Sequence, residues 1–133
     1  MTEDEYLQCL HFNSLNKNGV IHNQSVPIVL SCTSQDKENL KDHERIALYF
    51  EDKLVAVMIN ISLYGHRKDE RCARQFGLNN VRHPYQKFIH EECGDWLIGG
   101  ELKVFERIVW NDGLDQYRFT PYELRKKFKE INV

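Results

Sequence analysis

Residues 45–61 read R-I-A-L-Y-F-E-D-K-L-V-A-V-M-I-N-I, and this stretch decides the fold class. Ile46, Leu48 and Phe50 alternate toward one side, Leu54 to Ile61 is rich in apolar and β-branched residues, and Glu51-Asp52-Lys53 separates the two runs. Alternation at period two around a short charged turn predicts a β-hairpin. Leu54 to Ile59 is apolar at every position. That second strand is therefore expected to be covered on both faces and central to the core.

Helices are predicted on either side of the hairpin. Thr2-Glu3-Asp4-Glu5 fits a capping box, and Tyr6, Leu7, Cys9 and Leu10 follow at helical spacing, which predicts a helix over 3–12. Asn16 to Asn23 reads as a loop turning at Asn18-Gly19, Ser25 to Cys32 as a strand, and Ser34 to Leu40 as a short helical turn. Pro27 places the strand at an edge or at its own start, because proline cannot donate to a ladder. After Ser62 the pattern turns helical from His66 to Phe76 and stops at Gly77, a residue suited to a left-handed C-cap. A further helix opens at His83-Pro84 and ends before Gly94. Asp95 to Val109 reads as a strand broken by Gly99-Gly100, with a turn at Asn111-Asp112-Gly113.

The final element has the strongest signals. Thr120-Pro121-Tyr122-Glu123 combines an N-cap hydroxyl, proline at N1 and a glutamate at N3, and predicts a helix from Thr120 to Val133. Leu124, Phe128 and Ile131 fall at i, i+4 and i+7, while Arg125, Lys126, Lys127 and Lys129 cover the remaining sides. An apolar stripe of this kind needs a partner, and the cations suit the negative end of the helix dipole.

At 133 residues, 41% hydrophobic and 29% charged, the chain has the composition of one globular domain able to bury roughly 68% of its unfolded surface. Its net charge of -2 supplies no overall field for nucleic acid or anionic lipid. Cys9, Cys32, Cys72 and Cys93 form no C-x-x-C pair, so buried free thiols are expected, not a zinc or redox motif. The acidic start Thr2 to Glu5 is unlike a signal peptide, and no apolar run approaches the roughly 20 residues of a membrane span. A cytoplasmic protein is the expectation.

Few residues suggest chemistry. There is no G-x-x-x-x-G-K-[ST], G-x-S-x-G, H-E-x-x-H or G-x-G-x-x-G, so phosphate-loop, serine-hydrolase, zinc-hydrolase and dinucleotide readings lack their defining groups. Arg67, Lys68, Arg71, Arg74, Arg82 and Lys87 concentrate positive charge between His66 and Lys87. They read either as an anion or partner surface or as a solvated helix face with Glu70 and Arg74 paired at i, i+4. Gly94-Asp95 and Gly99-Gly100 would admit close approach of a ligand to backbone, or mark a turn and a bulge. Asp112 and Asp115 alone make a poor cation loop, and Trp96, Trp110, Tyr117 and Phe119 are expected to anchor the join between last strand and last helix.

Gly94-Asp95-Trp96-Leu97-Ile98-Gly99-Gly100 and the run from Trp110 to Pro121, W-N-D-G-L-D-Q-Y-R-F-T-P, resemble ATP sulfurylase, in particular the sulfurylase half of animal bifunctional 3′-phosphoadenosine 5′-phosphosulfate (PAPS) synthases. Glu5 to Phe12, Asn23 to Leu30 and His66 to Gln75 agree in order and spacing, so the resemblance covers essentially the whole chain. It implies an α+β fold, a PUA-like mixed β-barrel with packed helices, here incomplete at its N-terminus. Residues 1–119 would form this accessory domain and 120–133 a helix leading toward a catalytic domain. That family's Q-x-R-N-P-x-H-x-x-H stretch, which serves ATP and sulfate, has no counterpart before Val133. The resemblance thus implies a non-catalytic portion of a sulfate adenylyltransferase, with no catalytic, cofactor or metal residue of its own. Its expected partners are the catalytic domain and, in the full-length protein, a second copy. A stand-alone RNA-binding module, as PUA-like folds are elsewhere, is the alternative, disfavoured by the net charge. Gly77-Leu78, where the family has Gly-Thr, and Gly65, where a glutamate is common, are the smaller departures.

Overall fold

The computed structural model describes residues 1–132. The chain runs α1 (Glu3–Phe12), β1 (Ser14–Lys17), β2 (Val20–Asn23), β3 (Leu30–Cys32), α2 (Ser34–Leu40), β4 (Arg45–Phe50), β5 (Lys53–Gly65), α3 (Lys68–Phe76), α4 (Pro84–Glu91), β6 (Trp96–Val104), a 3₁₀ turn (Asp115–Tyr117) and α5 (Pro121–Glu130). Strands β3-β6-β5-β4 form a curled antiparallel half-barrel, with β1 and β2 as a separate small hairpin. The class is α+β, as expected.

The hairpin of residues 45–61 is present, with β5 longer than its pattern suggested. It continues through Ser62 to Gly65, up to the residue before the predicted helix start at His66. A bulge makes this possible. Ile59 pairs with Glu101 and Ser62 with Gly99, so Asn60 and Ile61 together face Gly100. Asn60 takes the left-handed conformation at φ 52, and its amide donates to the Glu101 carboxylate at 3.1 Å. The extra residue reverses the alternation. Before it Ala56 and Met58 point to one face; after it Ile61 and Leu63 join them, while Tyr64 turns to the other.

The two faces have different covers. On one, α1 lays Tyr6 and Leu10 over Tyr64 and Leu97, with the Tyr6 and Tyr64 rings 5.8 Å apart. On the other, Cys32, Met58 and Ile98 pack with Leu40, Ile46, Leu48, Ile61, Leu63 and Trp96. The expected two-sided burial of Leu54 to Ile59 is met only in part: Ala56 and Met58 are buried on one face, Val55, Val57 and Ile59 are half-buried on the other, and Leu54 is exposed.

Several boundaries differ from the sequence reading. Residues 16–23 are not a loop: most lie in the β1–β2 hairpin, turned by Asn18 and Gly19 at φ 55 and 81, a pair of left-handed residues that matches strand twist. Four-residue strands with one buried apolar position, Leu15, carry too little periodicity to be seen. Of Ser25 to Cys32 only Leu30–Cys32 is strand, so Pro27 lies outside the ladder. The helical turn Ser34–Leu40 is present as α2, and Thr33 caps it. Residue 66 belongs to no helix, and α3 begins at Lys68 after a left-handed Arg67. The last strand is 96–104, unbroken at its glycines. The capping box at Thr120 is formed, α5 ends at Glu130, and Val133 lies outside the described residues.

Candidate functional site

The basic segment 66–87 is the natural place to begin, and the fold divides it. His66, at the exit of β5, is 1% exposed. Its Nδ1 donates to the Gly94 carbonyl at 2.8 Å and its Nε2 accepts from the Arg71 guanidinium at 2.9 Å. Two such partners require a neutral ring, and burial, reinforced by the positive Arg71, pushes its pKa down against the opposing Gly94 bond. Arg71 is itself buried and also donates through Nε to Gln75 at 3.2 Å. The Tyr6 hydroxyl donates to the His66 carbonyl at 2.9 Å, and burial pushes that phenol up to about 12. This junction ties α1, β5, α3 and the loop before β6 together; it holds no reactive group toward solvent.

The surrounding cations are also engaged. Lys68 pairs with Asp95 at 2.7 Å, and Arg67 with Glu3 at 3.0 Å and Glu70 at 3.6 Å. The expected Glu70–Arg74 pair does not form, because Glu70 is taken by Arg67 and by His11 at 2.8 Å. One local partner, Arg67, and one tertiary partner, His11, take the place of Arg74. Arg74 and Arg82 remain at the surface, and in the same segment the rings of Phe76, His83, Tyr85 and Phe88 pack 4.9–5.9 Å apart.

The glycines are approached by the chain itself. A side chain at Gly94 would strike the Cys32 carbonyl, one at Gly99 the Met1 carbonyl, and one at Gly100 the Ile59 carbonyl at 2.8 Å. These contacts belong to strand packing, and the bulge lies in β5 opposite Gly100. Asp112 and Asp115 are gathered by Arg118, whose guanidinium donates to Asp112 at 2.7 Å and Asp115 at 3.0 Å. Asp115 also accepts the amides of Trp110 and Asn111 at 3.1 and 2.8 Å. The Arg118 bond first, and the Leu114 amide next, hold the Asp112 carboxyl well below the usual range. Two carboxylates occupied in this way close a turn. Among the described residues no group of three or more His, Cys, Asp or Glu side chains is placed to hold a metal ion.

The aromatic residues serve different parts. Trp110 meets Phe50 edge-on at 5.1 Å, and Phe119 lies under the Lys127 ammonium at 3.8 Å, so both mark the join to α5. Trp96 instead packs in the sheet, with Lys37 over its ring, and Tyr117 is exposed. Cys9, Cys32, Cys72 and Cys93 are free; the first three are buried and burial pushes their thiols up.

Two open cavities differ in character: one of about 560 Å³ is lined mainly by polar residues, Thr2, Glu5, Lys17, Asn60 and Glu101 with Gly100 and Leu102, and the other is apolar. Past Ala56 the second face of the sheet loses its cover, leaving a groove of about 520 Å³ lined by Leu48, Ala56, Leu102, Val104, Phe105 and Ile108, with Thr120 at its margin. Sequence reasoning missed this feature. Leu102 and Val104 alternate as strand residues do, but nothing local says whether a layer covers them. No helix among the described residues is long and apolar enough to cross a membrane.

The model of the PUA-like domain family matches residues 1–107. The chain is 45% identical over 130 residues to ATP sulfurylase 2 of Arabidopsis thaliana, a match that covers 96% of this chain and 27% of that protein. It is 40% identical over 130 residues to the chloroplastic ATP sulfurylase 4 of the same plant, covering 96% of this chain and 28% of the relative. The sulfate adenylyltransferase of Halothermothrix orenii is 32% identical over 108 residues, covering 80% of this chain and 28% of its own. The chain thus spans a little over a quarter of the length of the curated relatives it matches.

Proposed function

Because the chain belongs to the PUA-like domain family, we propose that it is the accessory portion of a sulfate adenylyltransferase, which supports a nucleotidyltransferase domain without performing its chemistry. The observation that carries this reading is the likeness to ATP sulfurylases along nearly the whole chain, together with a fold whose polar clusters are internally satisfied. Among the candidate residues, His66, Arg71, Asp112 and Asp115 are each held by a neighbour in the fold. Its partner is a catalytic portion that forms adenosine 5′-phosphosulfate and pyrophosphate from ATP and sulfate. Residues 1–119 act as the accessory unit and 120–133 as the helix leading to that portion. W-N-D-G-L-D-Q-Y-R at 110–118 supports an origin in the bifunctional PAPS synthases of animals, working in the cytoplasm.

Sulfate-dependent exchange of pyrophosphate into ATP provides the test. The chain alone is expected to give none. Mixed or co-expressed with the nucleotidyltransferase portion of a sulfurylase that lacks its own accessory domain, it is expected to co-purify and to raise that portion's activity or thermal midpoint. Turnover by the chain alone, or no binding and no effect on the partner, would overturn the assignment.

A further inference from the structure

Asn18 and Gly19 turn the β1–β2 hairpin, and nothing in the accessory role uses them. Asn18 is exposed at φ 55, Gly19 follows at φ 81, and the Asn18 side-chain amide has no hydrogen-bond partner among the described residues. A carboxamide followed by glycine can react with its own main chain, because no side chain beside the glycine nitrogen bars its approach to the amide carbon. The surroundings leave room for that approach: even a Cβ placed on Gly19 would meet nothing within 4 Å. Little holds the turn closed. Leu15 is the one buried side chain of the hairpin, and all four residues of β2 are exposed, so opening the turn costs a small part of the global stability.

We propose that Asn18 is a site of spontaneous covalent modification, converted through a succinimide to isoaspartate. Hydroxide takes the Gly19 amide proton, and the nitrogen attacks Cγ of Asn18. The new C–N bond closes the succinimide ring, the Cγ–Nδ2 bond breaks, and ammonia leaves after drawing a proton from water, which regenerates hydroxide. Water then opens the ring. Addition at Cγ gives aspartate, and addition at the main-chain carbonyl carbon of residue 18 gives isoaspartate, with the main chain now running through Cβ. The fold sets both rate and selectivity. In the closed turn the Gly19 amide donates to Asn16 Oδ1 at 3.0 Å, which holds the proton on the attacking nitrogen and makes Asn16 a brake. Asp112-Gly113 has the same glycine, but the Asp112 carboxylate accepts from Arg118 at 2.7 Å and from the Leu114 amide at 3.0 Å, and a carboxylate held ionised offers a poor leaving group. Asn60 is tied to Glu101 at 3.1 Å and precedes the β-branched Ile61, which crowds the nitrogen. At residue 18 the product lengthens a two-residue turn by one methylene and adds a carboxylate, so the Lys17–Val20 pairing is lost. The contacts that dock the hairpin on α1, Lys17 to Glu5 at 2.9 Å and the Asn16 amide to Gln8 at 2.9 Å, then loosen.

The inference stands apart from the sulfurylase reading, because it concerns the chemistry of one dipeptide in the folded chain. The test holds the native chain at physiological temperature in buffers from neutral to mildly alkaline. The peptide carrying residue 18 is followed by mass spectrometry, and isoaspartate is identified by electron-transfer fragmentation and by methyl transfer from labelled S-adenosylmethionine with a protein-isoaspartate methyltransferase. Isoaspartate should accumulate at residue 18, at a rate that rises in proportion to hydroxide, while Asn60 and Asp112 stay unchanged over the same interval. Hydrogen exchange of the modified fraction should show lost protection in β1 and β2, with β5 and β6 unaffected. Asn18→Gly, which leaves a glycine pair suited to this turn, should abolish methyl labelling at the hairpin. Asn16→Ala should speed the conversion several-fold, whereas Asn16→Asp, which keeps an acceptor for the Gly19 amide, should not. Absence of isoaspartate at residue 18 in the folded chain, with the chain in urea as the positive control, would overturn the proposal. So would equal conversion at Asn60 or Asp112, or an Asn16→Ala variant that reacts no faster than wild type.

Discussion

Leu97 and Leu102 are leucines five residues apart on the same strand, and truncating each to alanine should have very different effects. Leu97 is fully buried beneath Tyr6, Leu10 and Tyr64, whereas Leu102 is 54% exposed on the open stretch of the opposite face. Leu97→Ala loses three buried carbons, about 2.4 kcal/mol of transfer free energy at about 0.8 per methylene, and leaves a cavity that its rigid aromatic neighbours cannot fill, for about 3 kcal/mol in all. Leu102→Ala loses roughly half the transfer term and opens no cavity, about 1 kcal/mol. With an unfolding entropy of roughly 0.3 kcal/mol/K for 133 residues, these correspond to drops of about 10 °C and about 3 °C in Tm. Urea denaturation followed by far-ultraviolet circular dichroism measures both as shifts of midpoint at constant slope. Equal losses would refute the reasoning, since they would mean that the groove is covered within a single chain.

Thr120→Ala should cost α5 about 1 kcal/mol, because the hydroxyl accepts the Glu123 amide and the Glu123 carboxylate returns the bond; faster hydrogen exchange at residues 121–124 with the sheet unchanged is the expected readout. Gly94→Ala places a carbon on the Cys32 carbonyl, so β3 should be forced from β6, with loss of protection at Leu30–Cys32 and a fall in Tm of several degrees. The folded pKa of His66 lies below its ordinary 6.5, so the unfolded chain takes up the proton first. Stability is therefore full above about pH 6.5 and falls as pH drops through the interval between the unfolded and folded values. Comparing the pH slope of the urea midpoint with that of His66→Gln isolates this residue, and an unchanged slope between pH 7 and pH 5 would count against a buried neutral ring.

The capped helices were legible in the sequence because their signals are local: Thr2 with Glu5 and Thr120 with Glu123 bond across a single turn. The 45–61 hairpin was legible for the same reason. The β1–β2 hairpin was not, since four-residue strands with one buried side chain give no period to read. The candidate site fared worst. His66 and Arg71 read as part of a basic helix face, yet their partners, the Gly94 carbonyl and the packing of α1, come from 28 to 60 residues away. Glu70 illustrates the same limit, choosing His11 from α1 over the arginine one turn ahead.

Residues 45–61 by themselves settled that this protein is built on an antiparallel hairpin, and W-N-D-G-L-D-Q-Y-R at 110–118 settled whom it resembles. Both rest on order along the chain. Which face of that hairpin is core was decided by the tertiary structure alone. The bulge at Asn60 reverses the side-chain alternation against Gly100, so that Tyr64 meets α1 while Ile61 and Leu63 turn to the second face. Burial is a property of what lies opposite, and Leu102 and Val104 stay exposed among the described residues.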